Sequence, residues 1–360
     1  MNKNDPLVYV GTYTQGDSEG IYIYHLDMDS GDLNLVGVAK DIVNPSFLAI
    51  EPEKRYLYAV NEVGNFNNKP TGAVSAFAID RETGKLTFLN HQSSEGSGPC
   101  YISIDSTGRF ALIANYGSGS VAILPIESDG KLAEASDMIQ HEGSSVNSSR
   151  QEGPHAHSIT PDSGNKYAFA PDLGLDKIII YNLDLENGKL VPNKHPWAEV
   201  KAGSGPRHFV FHPNNKYAYV INELNSTMIA FEYDEVQGKL NEIQTISTIP
   251  DDYNETNYCA DIHVHPSGKF VYGSNRGHDT IVIFFVDEDT GKLTLIGYES
   301  TKGNFPRGFA LDPTGEFLLA ANQNTDNIVT YRIHQETGNI EPTGCNINVS
   351  KPVCIKVIKF

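Results

Sequence analysis

Three arginines, two glutamates and a histidine in this 360-residue chain are of the types that hold anions and move protons. Their placement is regular. Arg207 follows Pro206, Arg307 follows Pro306 and His155 follows Pro154, whereas Glu62, Glu223 and Arg276 each stand directly after an asparagine. Guanidinium forks match the oxygens of carboxylates and phosphates, and a carboxylate set among them can serve as base or acid. If the fold brings these positions together, the result is a site suited to an anionic ligand.

What brings them together is a repeat. A reference proline recurs at Pro45, Pro99, Pro154, Pro206, Pro306 and Pro352, with Cys259 in its place once, at spacings between 46 and 55 residues. Each repeat carries four short apolar runs separated by turn signals, and a period near ~50 of this kind is the signature of a propeller blade. The runs are typified by Phe209–Phe211, Tyr217–Ile221 and Ile281–Phe285 for the first three strands. A hairpin glycine (Gly31, Gly84, Gly130, Gly188, Gly238, Gly291, Gly338) then delivers the fourth, in a turn that needs positive φ. The N-terminal segment supplies Leu7–Gly11, Ile21–Leu26 and Leu33–Val38 but no innermost strand, and Pro352–Ile358 is an innermost strand with nothing after it. The expectation is an all-β chain, one domain over residues 1–360, folded as a seven-bladed β-propeller with four antiparallel strands per blade. Pairing the C-terminal strand with the N-terminal blade closes the ring and leaves no open sheet edge.

Because the first two strands of a blade are antiparallel, the residue after the proline and the residue ending the second strand meet at one mouth of the central channel. The first series reads Ser46, Cys100, His155, Arg207, Ala260, Arg307 and Val353; the second reads Tyr13, Glu62, Tyr116, Leu173, Glu223, Arg276 and Gln323. A purely structural repeat would hold similar residues at each position, so the charged departures mark candidates. Glu223, His155, Arg207 and Arg276 are the candidate catalytic residues, with Arg307, Glu62, Tyr116, Gln323 and His157 as candidate substrate contacts. His157 stands where the other blades hold apolar residues, and reads as an inner-strand histidine placed to orient His155. His208 reads as a packing residue, and His212 and His265 fall in outer turns. The repeated asparagines Asn61, Asn115, Asn222, Asn275 and Asn322 read as strand-end residues bonding to nearby backbone. Two insertions, Gly64–Pro70 and His141–Gly153, are expected at the same mouth as a partial lid.

Composition narrows the partners. A formal charge of -18 and a pI near 5.0 argue against nucleic acid or an anionic membrane. No apolar run approaches a membrane span, and the start Met-Asn-Lys-Asn-Asp-Pro has no apolar signal core, so the expected compartment is the cytoplasm. The four cysteines show no C-x-x-C spacing, and Cys100 and Cys259 fall inside predicted inner strands. Reduced, packed thiols are expected, with no metal and no cofactor. The expected oligomeric state is a monomer or weak homo-oligomer.

The segment Gly205-Pro206-Arg207-His208, the following Asn222-Glu223-Leu224, Pro154-His155, Asn275-Arg276, Val10-Gly11-Thr12-Tyr13-Thr14 and Tyr58-Ala59-Val60-Asn61-Glu62 resemble the seven-bladed propeller 6-phosphogluconolactonases. That group sits in a wider lactonase family that also includes fungal carboxy-muconate cyclase. The resemblance covers essentially the whole chain, and the Arg207–Glu223 segment is its most specific part. It implies that His155, Arg207, Glu223 and Arg276 line the active site, that the substrate is a small anionic sugar lactone, and that no metal is needed. Lactone hydrolysis would then use Glu223 as general base toward water and Arg207 or Arg276 to stabilise the oxyanion. The remaining arginines and His155 would hold the 6-phosphate. Three rival readings differ in class: a muconate-type lactone cycloisomerase, a non-catalytic propeller that binds a protein or sugar, and a calcium-dependent gluconolactonase-like propeller.

Overall fold

A computed structural model describes residues 5–360; the first four residues, and with them most of the Met-Asn-Lys-Asn-Asp-Pro start on which the compartment expectation rests, lie outside the described residues. Among the described residues the strands form seven sheets of four, each antiparallel. The split blade closes as expected: Pro352–Ile358 pairs with Leu7–Thr12, which is followed outward by Gly20–Leu26 and Leu33–Lys40. Leu7 stands opposite Ile358 and Val10 opposite Ile355. The inner strands begin at the reference residue itself in Pro45–Ile50, Pro99–Ile104, Pro206–Phe211 and Pro306–Leu311, so they are longer than the apolar runs alone suggest.

Alternating apolar runs suit strands with one face in solvent, and the second strands depart from that. Phe110–Asn115, Tyr217–Asn222 and Phe317–Asn322 are buried at every residue, because blades are stacked on both faces by their neighbours. Solvent-facing residues concentrate in the fourth strands, such as Leu33–Lys40 and Leu293–Ser300.

A tyrosine on the second strand fastens each of several blades to the next. Tyr9 donates to the Gly84 carbonyl at 2.9 Å, Tyr58 to Gly130 at 3.0 Å, Tyr219 to Gly291 at 3.1 Å and Tyr272 to Gly338 at 2.8 Å. The acceptors are the hairpin glycines. Gly130 is needed twice over: its φ is 83°, and a Cβ there would lie 2.2 Å from the Tyr56 ring. His212 and His265 brace the outer turns in the same way, donating to the Gly268 and Gly315 carbonyls at 2.8 and 2.9 Å. Replacing Tyr58 by phenylalanine strands the buried Gly130 carbonyl. Chemical denaturation should show a loss of about 1–3 kcal/mol with turnover unchanged, and a variant as stable as the parent would show that this fastening contributes nothing.

The residue after the reference proline has a special place in the ladder. Pro206 faces Asn222, but the next pair is His208 with Ile221, which leaves Arg207 as the extra residue of a β-bulge. Ser46, Cys100 and Arg307 are skipped in the same way. A bulge bends the strand and re-aims one side chain, and Cys100 and Arg307 placed in this way line the cavity at the channel mouth. The blade that carries His155 is the exception. Its inner strand is reduced to Thr160–Pro161, with a lone pairing of Ala156 and Asp172 nearer the mouth.

Candidate active site

Glu223 lies one residue beyond the strand Tyr217–Asn222, its backbone N–H tied to the Gly205 carbonyl at 2.7 Å. Three guanidiniums converge on its buried carboxylate. Oε2 accepts from Arg207 Nε at 3.0 Å and from Arg276 Nη2 at 2.7 Å; Oε1 accepts from Arg150 Nη2. Arg207 also donates to the Ala260 carbonyl and to His208 Nε2, and Arg276 donates to the carbonyls of Tyr258 and Cys259. Burial alone would raise the Glu223 pKa, but Arg276, Arg207 and Arg150 outweigh it and hold the carboxyl far below its ordinary range. Burial and the neighbouring Arg276 and Arg307 push Arg207 down to about 10, still cationic at neutral pH.

These groups border a cavity of about 290 Å³ at the channel mouth. Of the residues singled out from sequence, Glu62, Tyr116, His157, Glu223, Arg276 and Arg307 line it, and Arg207 stands behind Glu223. Tyr13 donates to both oxygens of Glu62, at 3.1 and 2.9 Å. Arg307 lies over the Tyr13 ring at 5.5 Å and has no hydrogen-bond acceptor among the described residues. Four guanidiniums thus face two carboxylates, and one guanidinium has its donors unused.

Two of the candidates, His155 and Gln323, stand outside the cavity lining. His155 does not line the cavity: its Nδ1 meets the Tyr116 carbonyl at 3.0 Å, its Nε2 meets Glu152 at 3.3 Å, and its ring stacks on Tyr116 at 4.5 Å. The cause is local, since Asp172 takes the His155 N–H at 2.8 Å and displaces regular strand pairing. His155 supports Tyr116, and His157 is the histidine that lines the cavity; burial and Arg207 keep its pKa well below normal, so it is a neutral imidazole. Gln323 is not part of the lining; its backbone N–H bonds to the Phe305 carbonyl at 3.1 Å, and its side-chain oxygen is buried without a partner among the described residues. The insertions also divide. None of residues 64–70 lines this cavity, and Phe66 packs edge-on to His91 at 5.0 Å, beside a separate cavity further out on the ring. The other insertion, His141–Gly153, supplies Arg150.

Arg150, Tyr258 and Phe305 line the cavity and were not singled out by sequence. The repeat compares only equivalent positions, and an insertion has none; the available signal was an arginine inside a loop already assigned to the mouth. Four of the five asparagines behave as expected, with Asn61, Asn115, Asn275 and Asn322 donating to the carbonyls of Val43, Ser94, Thr248 and Thr301, whereas Asn222 donates to the Thr227 hydroxyl at 2.9 Å.

All four cysteines are unpaired and buried. Cys100 lines the cavity with its sulfur 3.6 Å from His157 Nδ1, yet burial and Glu62 push its thiol well above the usual range. It is therefore a poor nucleophile. Iodoacetamide at pH 8 should alkylate native Cys100 at least ~100-fold more slowly than the unfolded chain; comparable rates, read by peptide mass spectrometry, would refute the assignment of a suppressed thiol.

The site is a polar, arginine-rich cavity at one mouth of the channel of an all-β ring. The chain belongs to the lactonase family: the family model described as Lactonase, 7-bladed beta-propeller matches residues 7–357, which makes this protein a lactone hydrolase. It is 41% identical over 353 residues to a 6-phosphogluconolactonase of Bacillus subtilis, covering 97% of each chain. A 6-phosphogluconolactonase of Formosa agariphila is 38% identical over 311 residues, covering 84% of this chain and 86% of the relative. Among solved structures, the periplasmic gluconolactonase of Pseudomonas aeruginosa superposes with a TM-score of 0.93 at 32% identity, covering 98% of this chain and 99% of that one. Among the described residues no helix is long and apolar enough to cross a membrane.

Proposed function

We propose that this protein hydrolyses 6-phospho-D-glucono-1,5-lactone to 6-phosphogluconate, the lactonase step of the pentose phosphate pathway. The observation that carries this reading is the excess of guanidinium over carboxylate at the cavity, with Arg307 lacking a hydrogen-bond acceptor among the described residues. Arg307 is half-buried, and a partly desolvated guanidinium with unused donors favours an anion that completes them. The cavity, close to the ~300 Å³ lower end for ligand pockets, suits one sugar phosphate.

In this reading Arg307 anchors the phosphate, and Glu62 with Tyr13 engages sugar hydroxyls. A water attacks the lactone carbonyl carbon and gives its proton to Glu223. Arg276, which faces the cavity, stabilises the tetrahedral oxyanion; Arg207 has its donors committed to Glu223, His208 and the Ala260 carbonyl, and so positions Glu223. The intermediate collapses with cleavage of the bond from the carbonyl carbon to the ring oxygen, which takes the proton back from Glu223. Glu223 is ionised throughout the working pH range, as a base must be, but its guanidinium partners make it a weak one until substrate relieves them.

Phosphorylated lactones do not cross membranes unaided, so this substrate goes with the cytoplasm; the periplasmic relative is described as a gluconolactonase, without the phosphate. The deciding experiment is turnover of freshly made 6-phosphogluconolactone against glucono-1,5-lactone and a carboxylated muconate, corrected for spontaneous hydrolysis. We expect kcat/KM for the phosphorylated lactone to exceed the others by more than about tenfold, or ~1.4 kcal/mol. Equal rates on both gluconolactones, or preference for the muconate, would overturn the reading.

A further inference from the structure

The three guanidiniums on Glu223 are not held alike. The Arg207 and Arg276 side chains are 2% and 4% exposed, and both are anchored by backbone carbonyls as well as by Glu223. Among the described residues the Arg150 guanidinium has no backbone acceptor. It is held by Glu223 Oε1, a 3.3 Å contact to the Tyr116 hydroxyl and the Tyr258 ring 5.6 Å away, and its side chain is 30% exposed. Arg150 thus gives up the fewest bonds and the least burial on leaving.

The loop beneath it is firm. His141 bonds to Asp172 at 2.6 Å and to Tyr181 at 2.8 Å, and Ser145 bonds to Asp176. Gln151, wholly buried, donates to the Leu173 carbonyl at 2.8 Å, and its side-chain oxygen accepts from the Asn147 N–H at 3.1 Å. Movement at Arg150 is therefore a change of side-chain rotamer from a fixed base, with no loop rearrangement.

The carboxylate oxygens are divided as well. Arg207 and Arg276 share Oε2, and Arg150 alone covers Oε1. Removing Arg150 uncovers one oxygen and leaves the other clamped, so Glu223 keeps its position while gaining a site for a proton. Both Arg150 and Arg307, which has no hydrogen-bond acceptor among the described residues, line the same cavity, and a phosphate dianion competes well against a single carboxylate oxygen for a guanidinium.

We propose that Arg150 is the specificity-determining residue of this site: it caps Glu223 Oε1 in the free enzyme and is drawn onto the phosphate of the bound substrate, so that Glu223 is uncovered for proton transfer only when a phosphorylated lactone is present. This rests on the phospholactone reading above. The coupling makes the anion both ligand and trigger, since a ligand that binds one rotamer better shifts the population toward it. The loss of Arg150's charge and hydrogen bond also raises the basicity of Glu223, because both depress its pKa in the capped state.

The test uses the full chain with Arg150→Met, which keeps an unbranched stem without charge, and Arg150→Lys, which restores charge without the fork. For Arg150→Met we expect kcat/KM on 6-phosphogluconolactone to fall at least 30-fold, mainly through KM. On glucono-1,5-lactone we expect kcat to rise at least threefold, with the acid limb of its pH profile moving to higher pH. Arg150→Lys should recover part of the selectivity. Equal losses on both lactones with an unmoved acid limb would mean a merely structural arginine and overturn the proposal. Titration with inorganic phosphate separates it from the function reading: Arg150→Met should weaken phosphate binding at least tenfold, and unchanged binding overturns the proposal whatever the lactone kinetics. A parent enzyme that shows no preference for the phosphorylated lactone, but loses phosphate binding on this substitution, would defeat the substrate assignment and leave Arg150 as the anion reader.

Discussion

Glutamine at position 223 lowers kcat on 6-phosphogluconolactone by about 10²–10⁴-fold, the usual contribution of a positioned general base. It also destabilises the fold. The carboxylate neutralises the buried Arg207 and Arg276 and the half-buried Arg150, and removing one partner of a buried ion cluster costs about 3–5 kcal/mol. The sign with pH follows from the depressed carboxyl. In the unfolded chain Glu223 titrates near ~4.3, and in the fold its pKa is held far lower by the arginines. Its stabilising contribution is therefore fully present above the unfolded value, and declines as pH falls from there through the native one. Thermal melts of Glu223→Gln and parent should be furthest apart at pH 6–8 and converge in strong acid. Added phosphate should narrow the gap at neutral pH by supplying the missing negative charge. A variant with kcat within tenfold of the parent would remove Glu223 from the base role, and a gap that widens on acidification would remove the ion cluster from the stability account.

Deleting residues 352–360 is expected to abolish soluble, cooperatively folding protein. The strand Pro352–Ile358 is the only inner strand of the closing blade, and its loss unpairs Leu7–Thr12 along one edge. It also strips apolar partners such as Ile355 and Cys354 from the two clusters flanking the closure. An exposed edge of this kind templates aggregation. The control separates lost pairing from lost length. A circular permutant that begins at residue 350 and joins residue 360 to residue 5 by a short linker keeps every pairing, because Leu7 already stands opposite Ile358. It should be soluble, melt cooperatively and retain turnover. A soluble, cooperative deletion variant would show that six blades and three strands suffice without closure.

Most of the ring and half of the site were legible because both are periodic. Arg207, Arg307, Glu62, Glu223 and Arg276 stood out against their equivalents in other blades, and the fold gathers them at one mouth. Legibility failed where periodicity fails. In the blade after Pro154 the ladder gives way to side-chain bonding from Asp172, so counting from the proline reached His155 when His157 faces the cavity. Arg150 lies in an insertion without counterparts, and nothing in its local sequence shows that it reaches Glu223, 73 positions away. Counting residues also could not decide the basicity of Glu223, which depends on three guanidiniums arriving from separate segments.

The bulges beside the reference prolines separate two jobs that most strands must combine. A bulged residue stands outside the register of its ladder, so its identity is uncoupled from the apolar alternation that holds the blade. Ser46, Cys100, Arg207 and Arg307 occupy such positions, and Ala260 and Val353 fall in the matching gaps of their blades. The ring is in effect a turret of interchangeable sockets around one aperture. Two of these sockets, Cys100 and Arg307, open onto the cavity, so what the ligand meets there is set by residues that the blades do not need for their own pairing.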